Sequence, residues 1–208
     1  MYQGDDVAFT IFDTGGTDHV NLGTSNENLD IDLAPGASTG LFRGNGNIRI
    51  AENTWLEAVT TGTGNDTLTG NDIANRLTGG DGSDNISGGL GSDTLYGGEG
   101  ADTLDGGFTH DFLYGGLGND SLLGNTSYDN LDGGEGADTM RGGTGADTLY
   151  GGAGNDSMLG NTGVDYLYGG AGDDWISPGN GVDVAYGEGG NDTILGRTGW
   201  DSIYGGTG

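Results

Sequence analysis

Gly97-Gly98-Glu99-Gly100-Ala101-Asp102-Thr103-Leu104-Asp105 is one of sixteen consecutive nine-residue units between Thr61 and Tyr204, with no insertion or deletion. Gly151-Gly152-Ala153-Gly154-Asn155-Asp156-Ser157-Met158-Leu159 is another. Most units read Gly-Gly-x-Gly-x-Asp-x-apolar-x. A short fixed period marks a solenoid, in which each unit buries its apolar side only against its neighbours. The sixth position runs Asp66, Asn75, Asp84, Asp93, Asp102, Asp111, Asp120, Asp129, Asp138, Asp147, Asp156, Asp165, Asp174, Asp183, Asp192, Asp201. The eighth runs Leu68, Leu77, Ile86, Leu95, Leu104, Leu113, Leu122, Leu131, Met140, Leu149, Met158, Leu167, Ile176, Ala185, Ile194, Ile203. Fifteen of the sixteen sixth positions are acidic and all sixteen eighth positions are apolar. A solvated acidic linker has no reason to hold both registers.

Composition sharpens the problem. The 208 residues include 50 Gly, 32 acidic residues, five Arg and no Lys, for a formal net charge of −27. Such a chain does not collapse unaided, because charge repulsion and chain entropy exceed the burial available to so few large apolar side chains. Periodic glycine argues that a cation completes the fold. The charge excludes nucleic acid and anionic membrane surfaces as partners. No cysteine is present, so disulfides and thiolate metal sites are excluded. No apolar run approaches the ~18 residues of a membrane span. Met1-Tyr2-Gln3-Gly4-Asp5-Asp6 lacks the basic-then-apolar order of a secretory signal, so export would use a route that reads no N-terminal signal.

The residue types explain the spacing. Each unit reads as a six-residue turn followed by a three-residue strand. Glycines at positions one, two and four permit positive φ and close backbone approach to a ligand. The middle strand residue points inward and its neighbours outward. Two units then make one coil, giving a right-handed parallel β-roll of eighteen residues per coil. Stacked aspartates ~4.8 Å apart repel unless a hard cation lies between them. Carboxylate and carbonyl oxygens in a flexible loop favour Ca²⁺, and the metal supplies much of the folding free energy.

Alternate units fall on opposite edges of such a roll. One edge, row A, carries Asp66, Asp84, Asp102, Asp120, Asp138, Asp156, Asp174 and Asp192, with turns close to consensus. Its expected metal sites include the glycines at positions two and four, namely Gly80, Gly82, Gly98, Gly100, Gly116, Gly118, Gly134, Gly136, Gly152, Gly154, Gly170 and Gly172. Row B holds regular turns at Asp93 and Asp147, also expected ligands, and nearly all the departures. Ile73, Thr109, Asn125, Ser127, Asn161, Pro178 and Arg197 stand at its glycine positions, and Asn75 replaces aspartate. Asp111, Asp129, Asp165, Asp183 and Asp201 are further candidate ligands there. Calcium is therefore expected to be complete along row A and patchy along row B.

Residues 1–60 lack the repeat and read as a β-rich cap, with the roll at 61–208. Val7–Phe12, Leu29–Leu33 and Ile48–Ile50 have strand character, and Thr14–Asp18 reads as a turn. Trp55, Leu56 and Val59 are placed to seal the first coil. The chain stops in mid-unit at Gly205-Gly206-Thr207-Gly208, which suggests an excised segment of a longer protein.

The repeats resemble RTX calcium repeats, a family to which this nonapeptide belongs. Upstream, Phe9-Thr10-Ile11-Phe12-Asp13-Thr14-Gly15-Gly16-Thr17-Asp18 and Gly46-Asn47-Ile48-Arg49-Ile50-Ala51-Glu52, running on through Leu56-Glu57-Ala58-Val59 into the first repeats, are similar to the C-terminal, non-catalytic domain of serralysin-type secreted metalloproteases. The resemblance implies calcium-induced folding outside the cell, type I secretion and support for an attached passenger. It also makes Thr14–Asp18 a calcium turn, with Asp18 a ligand. The zinc signature of that family's catalytic half is absent; the two histidines, His19 and His110, are far apart and neither precedes Glu.

Two outer features remain. The ninth position after row B turns is Thr78, Tyr96, Tyr114, Asp132, Tyr150, Tyr168, Tyr186 and Tyr204, with Phe112 and Tyr166 on the same face. Leu123, Leu159 and Leu195 lie on the opposite face. His110, Tyr128 and Trp200 sit at position five of irregular turns. The tyrosines read as a cross-strand ladder or as a docking face for a partner domain or glycan. No paired acid–base or nucleophile constellation accompanies them, and the glycine runs lack the Gly-Lys-Ser/Thr of a phosphate loop. The leading reading is a non-catalytic, secreted calcium-binding module. The alternative is an adhesion or polysaccharide-binding module.

Overall fold

The computed structural model describes residues 9–11, 16–36, 38–41, 48–50 and 54–208. The remainder of Val7–Phe12, with Thr14, Gly15, Gly46, Asn47, Ala51 and Glu52, lies outside the described residues. The described elements are all strands, and no described helix is long and apolar enough to cross a membrane.

Two sheets face one another. Among the described residues, one holds ten strands: His19–Asn21, Ala58–Thr60, Arg76–Asp81, Thr94–Glu99, Phe112–Leu117, Asn130–Glu135, Thr148–Ala153, Tyr166–Ala171, Val184–Gly189 and Ser202–Tyr204. The other holds thirteen described strands. It includes Leu29–Asp32, Thr67–Thr69, Asn85–Gly89, Thr103–Phe108, Ser121–Thr126, Thr139–Gly145, Ser157–Gly163 and Trp175–Gly181. Repeat strands alternate between the sheets and pair in parallel with the strand eighteen residues on, as Leu95 does with Leu113 and Leu104 with Leu122. This is the parallel β-roll.

The strands are longer than the three residues expected. Thr94–Glu99 spans six, and Gly98 and Glu99 pair with Gly116 and Leu117. The Gly-Gly of each unit thus continues the strand, and the turn shrinks to the residues around Gly100-Ala101-Asp102. Alternation explains why. Leu95 points in and Tyr96 out, so the next inward position falls to Gly97 at the corner, where the coil is too narrow for a side chain. Continuing the ladder also satisfies the backbone groups that a free turn would leave unpaired.

The core is the expected single column. Residues of the eighth position from Leu68 to Ala185 are at most 1% exposed, and Ile31, Leu33, Leu56 and Val59 extend the column upstream. Parallel pairing continues across residue 60. Leu29–Asp32 pairs with Thr67–Thr69, and His19–Asn21 with Ala58–Thr60, which pairs with Arg76–Asp81. Beyond them Ser38–Leu41 runs antiparallel to both Leu29–Asp32 and Ile48–Ile50, ending the roll's parallel order.

Candidate metal centre

Within each row the aspartates are threaded together by one of their two oxygens. The backbone N–H of Asp84 donates to Oδ1 of Asp102 at 2.8 Å, and that of Asp102 to Oδ1 of Asp120 at 2.8 Å. Row B repeats this from Asp93 through Asp111, Asp129, Asp147, Asp165 and Asp183 to Asp201. Both rows extend above the first repeat. Leu29 donates its N–H to Asp66 Oδ1 at 2.7 Å, and Asp18 donates its N–H to Glu57 Oε2 at 2.8 Å. Asp18 therefore sits in row B, one coil above Glu57. The spacings of 37 and 39 residues hide these pairs from a nine-residue pattern.

The other oxygen has no such partner. Oδ2 of every sixth-position aspartate from Asp66 to Asp192 is buried without a hydrogen bond. The sixth-position aspartates from Asp66 to Asp183 are at most 3% exposed, and Asp192 and Asp201 are half-buried. Leaving one buried polar atom unsatisfied costs ~1–3 kcal/mol, and more when it is charged. A column of them is untenable without a counter-charge or protons.

The glycine at position one reveals what these oxygens face. A Cβ built on Gly97 would lie 2.3 Å from Asp102 Oδ2 and 2.6 Å from the carbonyl oxygen of Gly115, one coil on. On Gly133 it would lie 2.3 Å from Asp138 Oδ2 and 2.8 Å from Gly151 O. Row B shows the same pairing at Gly88, Gly124 and Gly160. These intervals thus bring a carboxylate oxygen and a carbonyl oxygen together. Among the described residues, no three acidic or histidine side chains converge to hold a metal. A cation here must draw on carbonyls, and an oxygen-only donor set of this kind suits calcium.

All twelve row A glycines expected at positions two and four have positive φ, for example +127° at Gly98 and +136° at Gly100. Most irregular turns keep the same backbone without glycine, the exception being the turn with Asn71 and Ile73. Thr109, Asn125, Ser127, Asn161 and Arg197 have φ between 66° and 92°. Row A departs too: Glu188, in a glycine position, has φ 70°, and Thr61 replaces the position-one glycine and donates its hydroxyl to Gly79 O at 2.6 Å. In row B the Thr109 hydroxyl donates to Gly91 O at 2.6 Å.

Burial shifts the carboxyls. Loss of water raises Asp84, Asp93, Asp129 and Asp165 to about 7, and Asp111, Asp120, Asp138, Asp147 and Asp156 to about 6. The N–H bond from the preceding coil opposes the shift, and neighbouring carboxylates in the rows add to it. Asp102, Asp174 and Asp183 are also raised, chiefly by burial.

The residue 60–208 stretch is covered by overlapping matches to a family model, the RTX calcium-binding nonapeptide repeat, at 60–95, 78–113, 87–122, 114–149, 123–158, 132–167, 150–185 and 177–208. The chain belongs to this family. Its RTX repeats bind calcium at multiple sites. No curated protein matches the chain.

The outer face of this RTX roll carries the tyrosines as expected. Tyr150, Tyr168, Tyr186 and Tyr204 stack with centroids 4.7–5.1 Å apart and planes within 11°, and Tyr96 stacks on Tyr114 at 4.9 Å. Asp132 separates the two runs, and Arg76 lies over Tyr96 at 4.4 Å. The rings use their faces on each other and present edges and hydroxyls outward. His110 stacks on Phe112 and meets Tyr128 edge-on, whereas Trp200, 88% exposed, lies in the last coil.

Proposed function

We propose that this RTX roll is a non-catalytic folding module of a secreted protein, switched by calcium. The observation that carries the reading is the column of buried Oδ2 atoms, each beside a carbonyl of the next coil. Calcium would be held by Asp66, Asp84, Asp102, Asp120, Asp138, Asp156, Asp174 and Asp192 with the glycine-turn carbonyls of row A. Row B would use Asp93, Asp147 and, less completely, Asp111, Asp129, Asp165, Asp183 and Asp201, with Asp18 at its upstream end. The ion supplies positive charge where the fold has gathered oxygens. With little free calcium, the −27 chain stays extended and can be threaded through a type I secretion channel. Outside the cell, ions bind only the coiled state and draw the chain into it, ordering an attached passenger.

The tyrosine stripe fits a self-stabilising ladder. Sugar binding on aromatic rings uses ring faces, and most of these faces are already occupied by their neighbours. Far-UV circular dichroism with chelator and with calcium tests the reading. The expected result is a disordered spectrum that becomes β-rich as calcium is added. A β-rich spectrum in chelator that calcium leaves unchanged would sink it.

A further inference from the structure

Asn75 is the one sixth-position residue that is not acidic, and both the oxygen and the nitrogen of its side chain are hydrogen-bonded. Its Oδ1 accepts the N–H of Asn71 at 2.7 Å, and its Nδ2 donates to the carbonyl of Leu56 at 2.9 Å. Asn71 adds three bonds. Its Nδ2 donates to Leu56 O at 2.9 Å and Leu33 O at 3.3 Å, while its Oδ1 accepts the N–H of Ile73 at 3.0 Å. Both amides are buried, 5% and 4% exposed for Asn71 and Asn75.

The position of Asn75 Oδ1 is informative. A Cβ on Gly70 would meet it at 2.6 Å and Gly88 O at 2.1 Å. This is the place that Asp Oδ2 takes in the other turns. Here the oxygen faces a backbone N–H of its own turn, so no counter-charge is needed. The second amide atom reaches upward to Leu56, which with Leu33 belongs to the upstream end of the core.

We propose that Asn71 and Asn75 form a calcium-independent clamp that ties the first coils to the upstream segment. The inference rests on the calcium reading of the remaining turns. It gives the Thr61 end of the roll local order without the ion, while the remaining coils stay extended. Starting a solenoid is harder than adding a coil to an existing edge, because each added coil gains an interface at once.

Hydrogen exchange of the full chain, read by mass spectrometry in chelator and then in calcium, tests the clamp. In chelator, the amides of Asn71, Ile73 and Arg76 should exchange at least roughly tenfold more slowly than those of Thr148, Ser157 and Tyr166. Calcium should then slow the second group. Equal, fast exchange of both groups in chelator, with calcium protecting both, overturns the clamp and leaves the calcium reading standing. No response to calcium in either group overturns the calcium reading itself. Asn75→Asp puts an acceptor against the Leu56 carbonyl and should erase the chelator-state protection. Retained protection in Asn75→Asp and in Asn71→Ala overturns the clamp.

Discussion

Replacing Gly133 by Ala separates the metal reading from ordinary turn chemistry. Gly133 does not have positive φ, so alanine meets no left-handed backbone penalty there. Its methyl would instead lie 2.3 Å from Asp138 Oδ2 and 2.8 Å from Gly151 O. Contact between such atoms is comfortable only beyond roughly 3.5 Å, so one oxygen or the other must move. Overpacking of this kind costs ~1–3 kcal/mol. If the oxygens hold an ion, its loss removes a further ~2.7 kcal/mol at a hundredfold excess of calcium over its dissociation constant. The variant should therefore be destabilised by roughly 4–6 kcal/mol in calcium. Glu135→Ala, at an exposed position in the same turn, should change stability by only about 0.5 kcal/mol. Native mass spectrometry counts the ions, and circular dichroism gives the calcium midpoint. Gly133→Ala should bind at least one ion fewer and coil at higher calcium. If it binds the same number at the same midpoint, Asp138 Oδ2 and Gly151 O do not share an ion and the reasoning fails.

Three other outcomes follow from the geometry. The buried carboxyls titrate near 6 to 7 in the metal-free roll, above the ~3.9 of an unfolded aspartate. Protonation thus stabilises the metal-free roll fully below about pH 4, and that contribution disappears as pH rises through 6 to 7. Chelator-treated protein should be more ordered at pH 4 than at pH 8, and calcium binding at pH 6 should release protons in calorimetry; binding without proton release at pH 6 would contradict the burial of these groups. Thr109→Gly removes a left-handed threonine, worth ~1 kcal/mol, and frees the Gly91 carbonyl. Anomalous scattering from the crystal should show more calcium between the Asp93 and Asp111 turns than in the parent, and unchanged density there would remove the hydroxyl as a competitor. Tyr168 stacks on Tyr150 and Tyr186, so Tyr168→Ser should cost ~1–3 kcal/mol in a calcium-saturated melt, and an unaltered melt would strip the ladder of its stabilising role.

The period made the coil, its two edges and its inward column legible, because each follows from a repeat of nine and an alternation of two. Three things were not legible, each for a physical reason. The strands run through Gly-Gly because the ladder, which a single unit cannot display, is satisfied by the next coil. The irregular turns hold positive φ at Thr109 and Asn125 because coils above and below impose the shape; glycine makes that shape inexpensive but does not define it. The upstream coil is hidden because its members contribute through different atoms. Leu29 offers only a backbone N–H to Asp66, and Glu57 uses a longer carboxylate to reach Asp18. A pattern of residue types does not register a role filled by the backbone.

The same distinction separates the two oxygens of each aspartate. Oδ1 stacks the coils through a backbone N–H and needs no ion. Oδ2 gathers the charge that keeps the metal-free chain from closing. On the proposed switch, a carboxylate does both at once: it pairs coil to coil when the roll is formed and withholds the roll until a cation or a proton arrives. Asn75 shows the limit of that logic. Where a carbonyl, that of Leu56, faces the side chain from above, an amide satisfies both of its atoms within the protein. The switch is then absent at that turn. The proposed switch thus sets calcium dependence turn by turn, by whether the second oxygen finds a donor in the chain.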